Sequence, residues 1–218
     1  LGAGQRVSQD ELVSYLGEKH AHNLWLLAKD AVNTVKEIIK TNKIDCHLKP
    51  GVATLGFNSK EVNGLHQYVD YLEKKYNYDG LEKLDHKVCS AICGSEKYKG
   101  GILDMNAAHL HPLRFVFGLA KAAIQAGADI FEKSEVRSLL PGKVNRTLTN
   151  SGEIQSEFVV LGCNGYLGNL EQKVAAKVMP INNFIVATEP LGDRAKSVLA
   201  KDIAVADTKF VVNYFRLS

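Results

Sequence analysis

Phe158-Val159-Val160-Leu161-Gly162-Cys163-Asn164-Gly165-Tyr166-Leu167-Gly168 is an unbroken apolar run that passes into three closely spaced glycines. A run that is apolar at every position, rather than at alternate ones, suits a strand buried on both faces. Open α/β sheets take their ligands at the carboxyl ends of such strands. Glycines there let backbone N–H groups come close to an anion or a flat ring. The spacing is not G-x-G-x-x-G, and no complete dinucleotide fingerprint occurs elsewhere in the chain. On the residues alone, a tight strand-to-helix turn is the plainer account of the same glycines.

Upstream of this run, His111-Pro112 opens a helix with Pro in its first turn, where the missing N–H costs nothing. Leu113, Val116, Phe117, Leu119, Ala120, Ala123 and Ile124 form its apolar positions, and Gly127 ends it. Strands are predicted over 129–132, 136–140 and 144–149, then a turn at Ser151-Gly152 and a buried strand over 158–162. Downstream, a helix is predicted near 170–176 and strands over 183–188 and 210–216. Toward the amino end, Ser8-Gln9-Asp10-Glu11 is a capping box, so a helix starts near residue 9. Leu24, Leu27, Ala28, Ala31, Val35, Ile38 and Ile39 give that helix the strongest 3.6-residue pattern in the chain. A turn at Pro50-Gly51 leads into a strand ending at Phe57, and Asn58-Ser59-Lys60-Glu61 opens a second helix. Asp85 caps a short helix over 86–93, and Gly100-Gly101-Ile102-Leu103-Asp104-Met105 reads as a strand. The mixture is α/β, with strands not in strict βαβ alternation.

The composition is that of an ordinary globular chain: 218 residues, 45% hydrophobic and 23% charged. The formal net charge of +3 is too small to argue for nucleic acid or an anionic membrane as partner. No apolar run is long enough to span a bilayer, and no secretory leader pattern is visible. Four cysteines do not make a disulfide framework; they read as reduced thiols in a cytoplasmic protein. His109-x-His111 is a conceivable metal pair without neighbouring carboxylates, and no metal is expected. No G-x-S-x-G elbow and no Walker lysine loop is present. Tyr214 and Arg216 alternate with Phe215, so a phenol and a guanidinium share one face of the last strand and could bind a carboxylate or carbonyl. No residue stands out as a general base, and the catalytic residues are unassigned.

In chain order, several segments resemble the flavin-dependent amine and amino-acid oxidase family, the family of D-amino-acid oxidase. They are Ile44-Asp45-Cys46 with Pro50-Gly51, Tyr98-x-Gly100-Gly101-Ile102-Leu103-Asp104, and His109-Leu110-His111-Pro112-Leu113. Val159 to Gly168, Met179-Pro180, Ala187-Thr188-Glu189-Pro190-Leu191 and Asn213-Tyr214-Phe215-Arg216-Leu217 follow. The resemblance implies FAD as cofactor and oxidation of the C–N bond of an amine, such as a gamma-glutamylated diamine, or of an amino acid, to an imine. It places Val136 at the adenine end of the flavin, and Gly162, Cys163 and Asn164 beside its pyrophosphate and ribose. It places Tyr214, and less firmly Arg216, toward the substrate.

Cys163 stands where the family often has Ala or Gly. Family members begin with a glycine-rich fingerprint and finish with a glycine-rich segment over the flavin ring, and neither occurs here. The chain starts at Leu1 and stops at Ser218, one residue after an apolar strand. The expectation is a central fragment that binds no FAD alone, is inactive alone and self-associates through surface meant for the cofactor. Residues 1–43 and 112–175 would be part of the FAD-binding domain, and 44–111 and 176–218 part of a mixed-sheet substrate domain. A flavin-free binding or structural protein built on the same fold is the alternative.

Overall fold

Ser8 precedes the longest helix of the chain, α1 (Gln9–Thr41), and the capping box forms: the Glu11 carboxylate accepts from the Ser8 backbone N–H at 3.4 Å and from its hydroxyl at 3.0 Å. Gly17 interrupts the helix with φ 77°, a conformation natural only to a residue without Cβ. The longer part beyond it buries Ala21, Trp25, Ala28, Val32 and Ile39, a 3.6-residue stripe. The computed structural model describes residues 1–218 and divides them into two units, 1–127 with 190–218, and 128–189.

The first unit is built on a mixed five-stranded sheet. Its strands are β1 (Lys49–Gly56), β2 (Leu81–Leu84), β3 (Gly100–His109), β7 (Ala204–Asp207) and β8 (Tyr214–Phe215), in the order β2-β3-β1-β7-β8. β7 runs parallel to β1, and every other pairing is antiparallel. α2 (Ser59–Tyr76) follows β1 as predicted: the Asn58 side chain caps the Glu61 N–H, and Asn77 closes the helix in the left-handed conformation. α3 (His86–Ile92) is capped by Asp85. α4 (Pro112–Gln125) starts on the His111 side chain, which accepts from the Arg114 N–H.

Ala53, Leu55, Leu103 and Val205, on three adjacent strands, point into the main core with Leu84, Cys89, Ile92, Leu199 and Ile203. Phe215 and Leu217 pack onto it from the edge. Trp25, Leu72 and Tyr78 form a second cluster between α1 and α2, with Trp25 and Tyr78 edge to face at 5.0 Å. β3 carries a bulge: Met105, Asn106 and Ala107 stand opposite Gly51 alone. Asp104 holds it by accepting from the Asn106 and Ala107 N–H groups at 2.9 and 3.1 Å and from the Tyr78 hydroxyl at 2.8 Å.

The second unit holds an antiparallel meander, β4 (Val136–Leu140), β5 (Asn145–Thr149) and β6 (Glu153–Ser156), and a short helix α5 (Gln172–Ala175). A further short helix, α6 (Ala195–Val198), belongs to the first unit. No helix is long and apolar enough to cross a membrane.

The expected mixed α/β class, a mixed sheet with helices, is what the chain adopts. Four strand expectations are corrected. Residues 129–132, 158–162 and 183–188 are not strands, and of 210–216 only Tyr214–Phe215 pairs. A strand exists by its ladder with a neighbour, and none of the first three segments pairs with another strand. The apolar run expected to be buried on both faces is open to solvent, with Phe158 84% and Val160 91% exposed. In the fourth segment the residues from Thr208 to Asn213 form a loop. α4 also departs from expectation: none of its residues is fully buried. Phe115 and Leu119 pack on Ile39, Ile44 and Cys46, while Leu113, Val116, Phe117 and Ile124 remain exposed. β2, β6 and β7 are additions; their four residues each are too short for a clear period.

Candidate functional site

The five-stranded sheet brings chemistry together at one end. β1 starts at Lys49, β3 ends at His109, which faces Lys49 in the ladder, and Asp202 precedes β7. β8 is antiparallel to β7, so Arg216, just after β8, arrives at the same end. Lys49 Nζ pairs with the Asp202 carboxylate at 2.8 Å, and that hydrogen bond, with the Lys49 charge, lowers the Asp202 pKa against the burial that would raise it. His109, 7% exposed, has Nε2 3.3 Å from the Asp202 carbonyl oxygen and Nδ1 3.2 Å from Arg216 Nη1. An arginine has no acceptor, so Arg216 donates and His109 Nδ1 accepts. His109 is thereby the neutral tautomer with its proton on Nε2, donating to Asp202.

The loop before β8 is tied by two carboxylates. Asp207, 3% exposed, accepts from the Lys209 N–H at 3.2 Å, the Asn213 N–H at 3.1 Å and the Asn213 side-chain amide at 2.6 Å. Burial alone would raise its pKa, but these hydrogen bonds together outweigh it and the pKa is lowered. Burial, then the charge of nearby Asp207, pushes the Tyr98 hydroxyl up to about 12. Glu61 accepts from the Thr208 hydroxyl at 2.5 Å and from the Phe57 N–H at 2.8 Å, which lowers its pKa. This loop presents Tyr214, paired with Ala206 and 78% exposed. Phe215 and Leu217 go into the core, so Tyr214 and Arg216, which alternate with them, take the other side.

The remaining expected residues lie in the second unit. Val136 opens β4 opposite Thr149 and is half-buried. Gly162, Cys163 and Asn164 follow the unpaired apolar run; Cys163 is a half-buried free thiol and Asn164 has φ 49°. Asn164–Tyr166 form one helical turn, Gly168 has φ 56° and Leu167 is buried. The tight turn expected from the glycines is therefore present. Tyr214 and Arg216, grouped by the sequence reading, lie in and just after β8. The sequence reading did not find the roles of His109 and Asp202, whose partners are 93 and 153 residues away, nor that of Asp207, whose partners Lys209 and Asn213 are two and six residues away.

As a seat for a flavin the second unit fits on one side. A Cβ built at Gly162 or at Gly168 meets nothing within 4 Å, and one at Gly165 meets only Pro180 at 3.9 Å. The backbone of the turn is accessible to a flat or anionic group, and within this unit no opposing wall encloses it. His109 and His111 do not form a metal pair: one holds Arg216 and the other caps α4, and no group of three metal-ligating side chains exists.

A family model described as FAD dependent oxidoreductase (DAO) matches residues 5–218. The probable oxidoreductase OrdL of Haemophilus influenzae is 34% identical over 216 residues, 96% of this chain and 50% of that protein. The gamma-glutamylputrescine oxidoreductase of Escherichia coli is 30% identical over 186 residues, 84% of this chain and 43% of that protein. The chain spans about half the length of the curated relatives it matches. Among solved structures, L-proline dehydrogenase from P. horikoshii superposes with a TM-score of 0.65 at 16% identity, over 100% of this chain and 56% of that one. Glycine oxidase from Geobacillus kaustophilus gives 0.58 at 19% identity, over 70% and 43%. At these identities the structural likeness is one of fold.

Proposed function

Because the chain belongs to the DAO family of FAD-dependent oxidoreductases, we propose that this protein, with FAD bound, oxidises the C–N bond of an amine or amino acid to an imine. The observation that carries the reading is the family match over residues 5–218. The 30% identity to a gamma-glutamylputrescine oxidoreductase favours a gamma-glutamylated diamine, and so a role in putrescine catabolism, over a simple amino acid.

FAD, when bound, supplies the acceptor for the hydride equivalent that leaves the carbon next to nitrogen. The chain's own residues do the binding and orienting. Gly162, Cys163 and Asn164 would hold the pyrophosphate and ribose through an open backbone, and Val136 would meet the adenine end. Tyr214 and Arg216 face the substrate; their shared side of β8, away from the core, supports this. Orientation of the reacting carbon is the main contribution asked of the protein, since a well-placed reactant gains several orders of magnitude in rate. The assignment of 44–111 and 176–218 to a substrate domain is supported by the five-stranded sheet, whose strands all come from those ranges. Residues 1–43 and 112–175 are assigned to the FAD-binding domain. Free thiols, three of them buried, support a reducing, cytoplasmic setting.

The test is the absorbance spectrum of purified protein with and without added FAD, followed by peroxide release with gamma-glutamylputrescine. The 218-residue chain is expected to hold no yellow chromophore after gel filtration. The protein extended to the length of its relatives is expected to hold one and to release peroxide. An extended protein that binds no flavin and oxidises no amine overturns the reading.

A further inference from the structure

We propose that Asn164-Gly165 is a self-modification site: in protein without cofactor the Asn164 side chain deamidates, by attack of the Gly165 backbone nitrogen, and leaves a negative charge in the turn assigned to the FAD pyrophosphate. The modification stands on the turn alone; its consequence for the cofactor rests on the oxidase reading above. The chain holds two Asn-Gly pairs, Asn63-Gly64 and Asn164-Gly165, and all four residues are exposed. Exposure therefore does not separate them, and the backbone does. Gly64 lies inside α2, where its N–H is committed to the intrahelical ladder. Gly165 lies in the single turn Asn164–Tyr166, and its N–H makes no hydrogen bond. The turn is closed by the Tyr166 N–H donating to the Cys163 carbonyl at 3.0 Å and the Leu167 N–H donating to the Asn164 carbonyl at 3.4 Å.

The Asn164 side chain is also without a hydrogen bond, and its φ of 49° lies in a region thinly populated by residues with a Cβ. Opening the turn gives up two hydrogen bonds and relieves that conformation. Gly165, having no Cβ, neither shields its own nitrogen nor hinders the rotation that carries it to Asn164 Cγ. In the step itself the Gly165 nitrogen gives its proton to solvent and bonds to Asn164 Cγ. The Cγ–Nδ2 bond breaks and ammonia leaves, which closes a five-membered imide. Water opens the imide at either carbonyl, to aspartate or to isoaspartate. One water is consumed, one ammonia is released and no electrons are exchanged. Either product carries a carboxylate where a neutral amide stood, and isoaspartate also lengthens the backbone of the turn by one carbon. That charge repels a pyrophosphate. A pyrophosphate seated on the open backbone in turn covers the attacking nitrogen. Cofactor and modification therefore exclude each other, and time spent without cofactor lowers the fraction of chains able to take it.

The experiment incubates the 218-residue chain at pH 8 and follows it by peptide mapping, which separates the asparagine, aspartate and isoaspartate forms. Both products are expected to accumulate at Asn164, and at Asn63 at least about tenfold more slowly, because the helix must first open there. Gly165→Ala tests the geometry without breaking the turn. A Cβ at this position meets only Pro180 at 3.9 Å, and φ of Gly165 is not positive. The added methyl is expected to slow loss at Asn164 at least about fivefold by shielding the nitrogen. Equal rates at Asn63 and Asn164, or an unchanged rate in Gly165→Ala, overturns the proposal.

The protein extended to the length of its relatives tests the consequence. Saturating FAD is expected to suppress loss at Asn164. Asn164→Asp, which carries the product charge from the start, is expected to weaken FAD at least about fivefold in a fluorescence titration. An extended protein that binds FAD yet deamidates at the same rate, or an Asn164→Asp variant of unchanged FAD affinity, overturns the link to the cofactor while the oxidase reading stands. An extended protein that binds no flavin and still deamidates selectively at Asn164 removes the oxidase reading and supports the modification site.

Discussion

Removing the Asp207 carboxylate should loosen the loop that presents Tyr214, and the structure sets the size of the effect. Asp207 is 3% exposed and accepts three hydrogen bonds from Lys209 and Asn213. Hydrogen bonds to a charged acceptor are worth roughly 1.5–3 kcal/mol each. The terms do not add, because all three share one acceptor. Lys209 and Asn213 are exposed, so their donors regain water when the acceptor is removed. The net cost of Asp207→Ala is therefore about 2–3 kcal/mol, the upper range for one charged hydrogen bond. Asp207→Asn retains one acceptor oxygen and the volume, and costs about 1–2 kcal/mol.

Amide hydrogen exchange reads this locally, which matters in a chain of two units whose global melting need not be one transition. The Asn213 and Val205 amides should exchange about a hundredfold faster in Asp207→Ala at pH 7. Because the folded pKa of Asp207 is lowered, its contribution is complete above the unfolded value of about 3.9 and fades as pH falls through the folded one. The gap between wild type and Asp207→Asn should thus be constant from about pH 7 to 5 and shrink below about pH 4. Exchange unchanged within about twofold in Asp207→Ala, or a gap that does not narrow in acid, would refute the account.

Gly118 lies inside α4, where Gly→Ala ordinarily gains up to about 1 kcal/mol. Here the new Cβ would stand 2.2 Å from Ile44 Cγ2 and 3.0 Å from its Cβ. Gly118→Ala should instead destabilise the helix by roughly 1–3 kcal/mol, seen as a lower urea midpoint for helical circular dichroism. Leu103 is 0% exposed in the centre of the sheet; Leu103→Ala should cost about 2–5 kcal/mol in the same titration. Of the four thiols, Cys163 should react first with an exchange reagent at pH 8, while Cys89, pushed by burial to about 11, should need unfolding. The exposed apolar segment Phe184-Ile185-Val186 should drive self-association of the chain, visible in light scattering across a concentration series. Replacing the three with Ser should reduce the apparent mass, and a monomer at every concentration in the unsubstituted chain would remove the idea.

The elements legible in the sequence share a physical property: their signal is local. Ser8 with Glu11, Asn58 with Glu61, Asp85 with Val88 and His111 with Arg114 are all three residues apart, and each marks a helix start that the structure keeps. β1, β3, β4 and β5 were legible because the turns beside them are local too. The illegible elements depend on distant partners. β7 reads Ala-Val-Ala-Asp, which has no period to speak of, and becomes a strand because β1 offers a parallel edge 152 residues away in sequence, Val52 facing Ala204. The same logic hid the site. Tyr214 and Arg216 were visible as neighbours on a strand, whereas His109 is 107 residues from Arg216 and looked like half of a histidine pair.

The contrast between two apolar segments shows which physics decides burial here. Ala53, Leu103, Val205 and Phe215 lie side by side across four strands, because each strand had an edge to pair with and the pairing aligned their inward faces. Phe158 to Leu161 is more hydrophobic than any of those strands, yet it stays unpaired and exposed. Apolar character is non-directional and asks only for cover. The backbone asks for directional partners, and burying the run without them would leave its N–H and C=O groups unpaired at about 1–3 kcal/mol each, more than the roughly 1.5–3 kcal/mol gained per side chain when two such groups go with each residue. The run therefore remains at the surface in this chain for want of a paired strand. Supplying an edge would reverse the balance, since the same side chains would then be buried with their backbone satisfied. That is why the open Gly162–Gly168 turn and the exposed run belong to one argument: a partner strand that covered Val160 would also bring a wall toward the glycines.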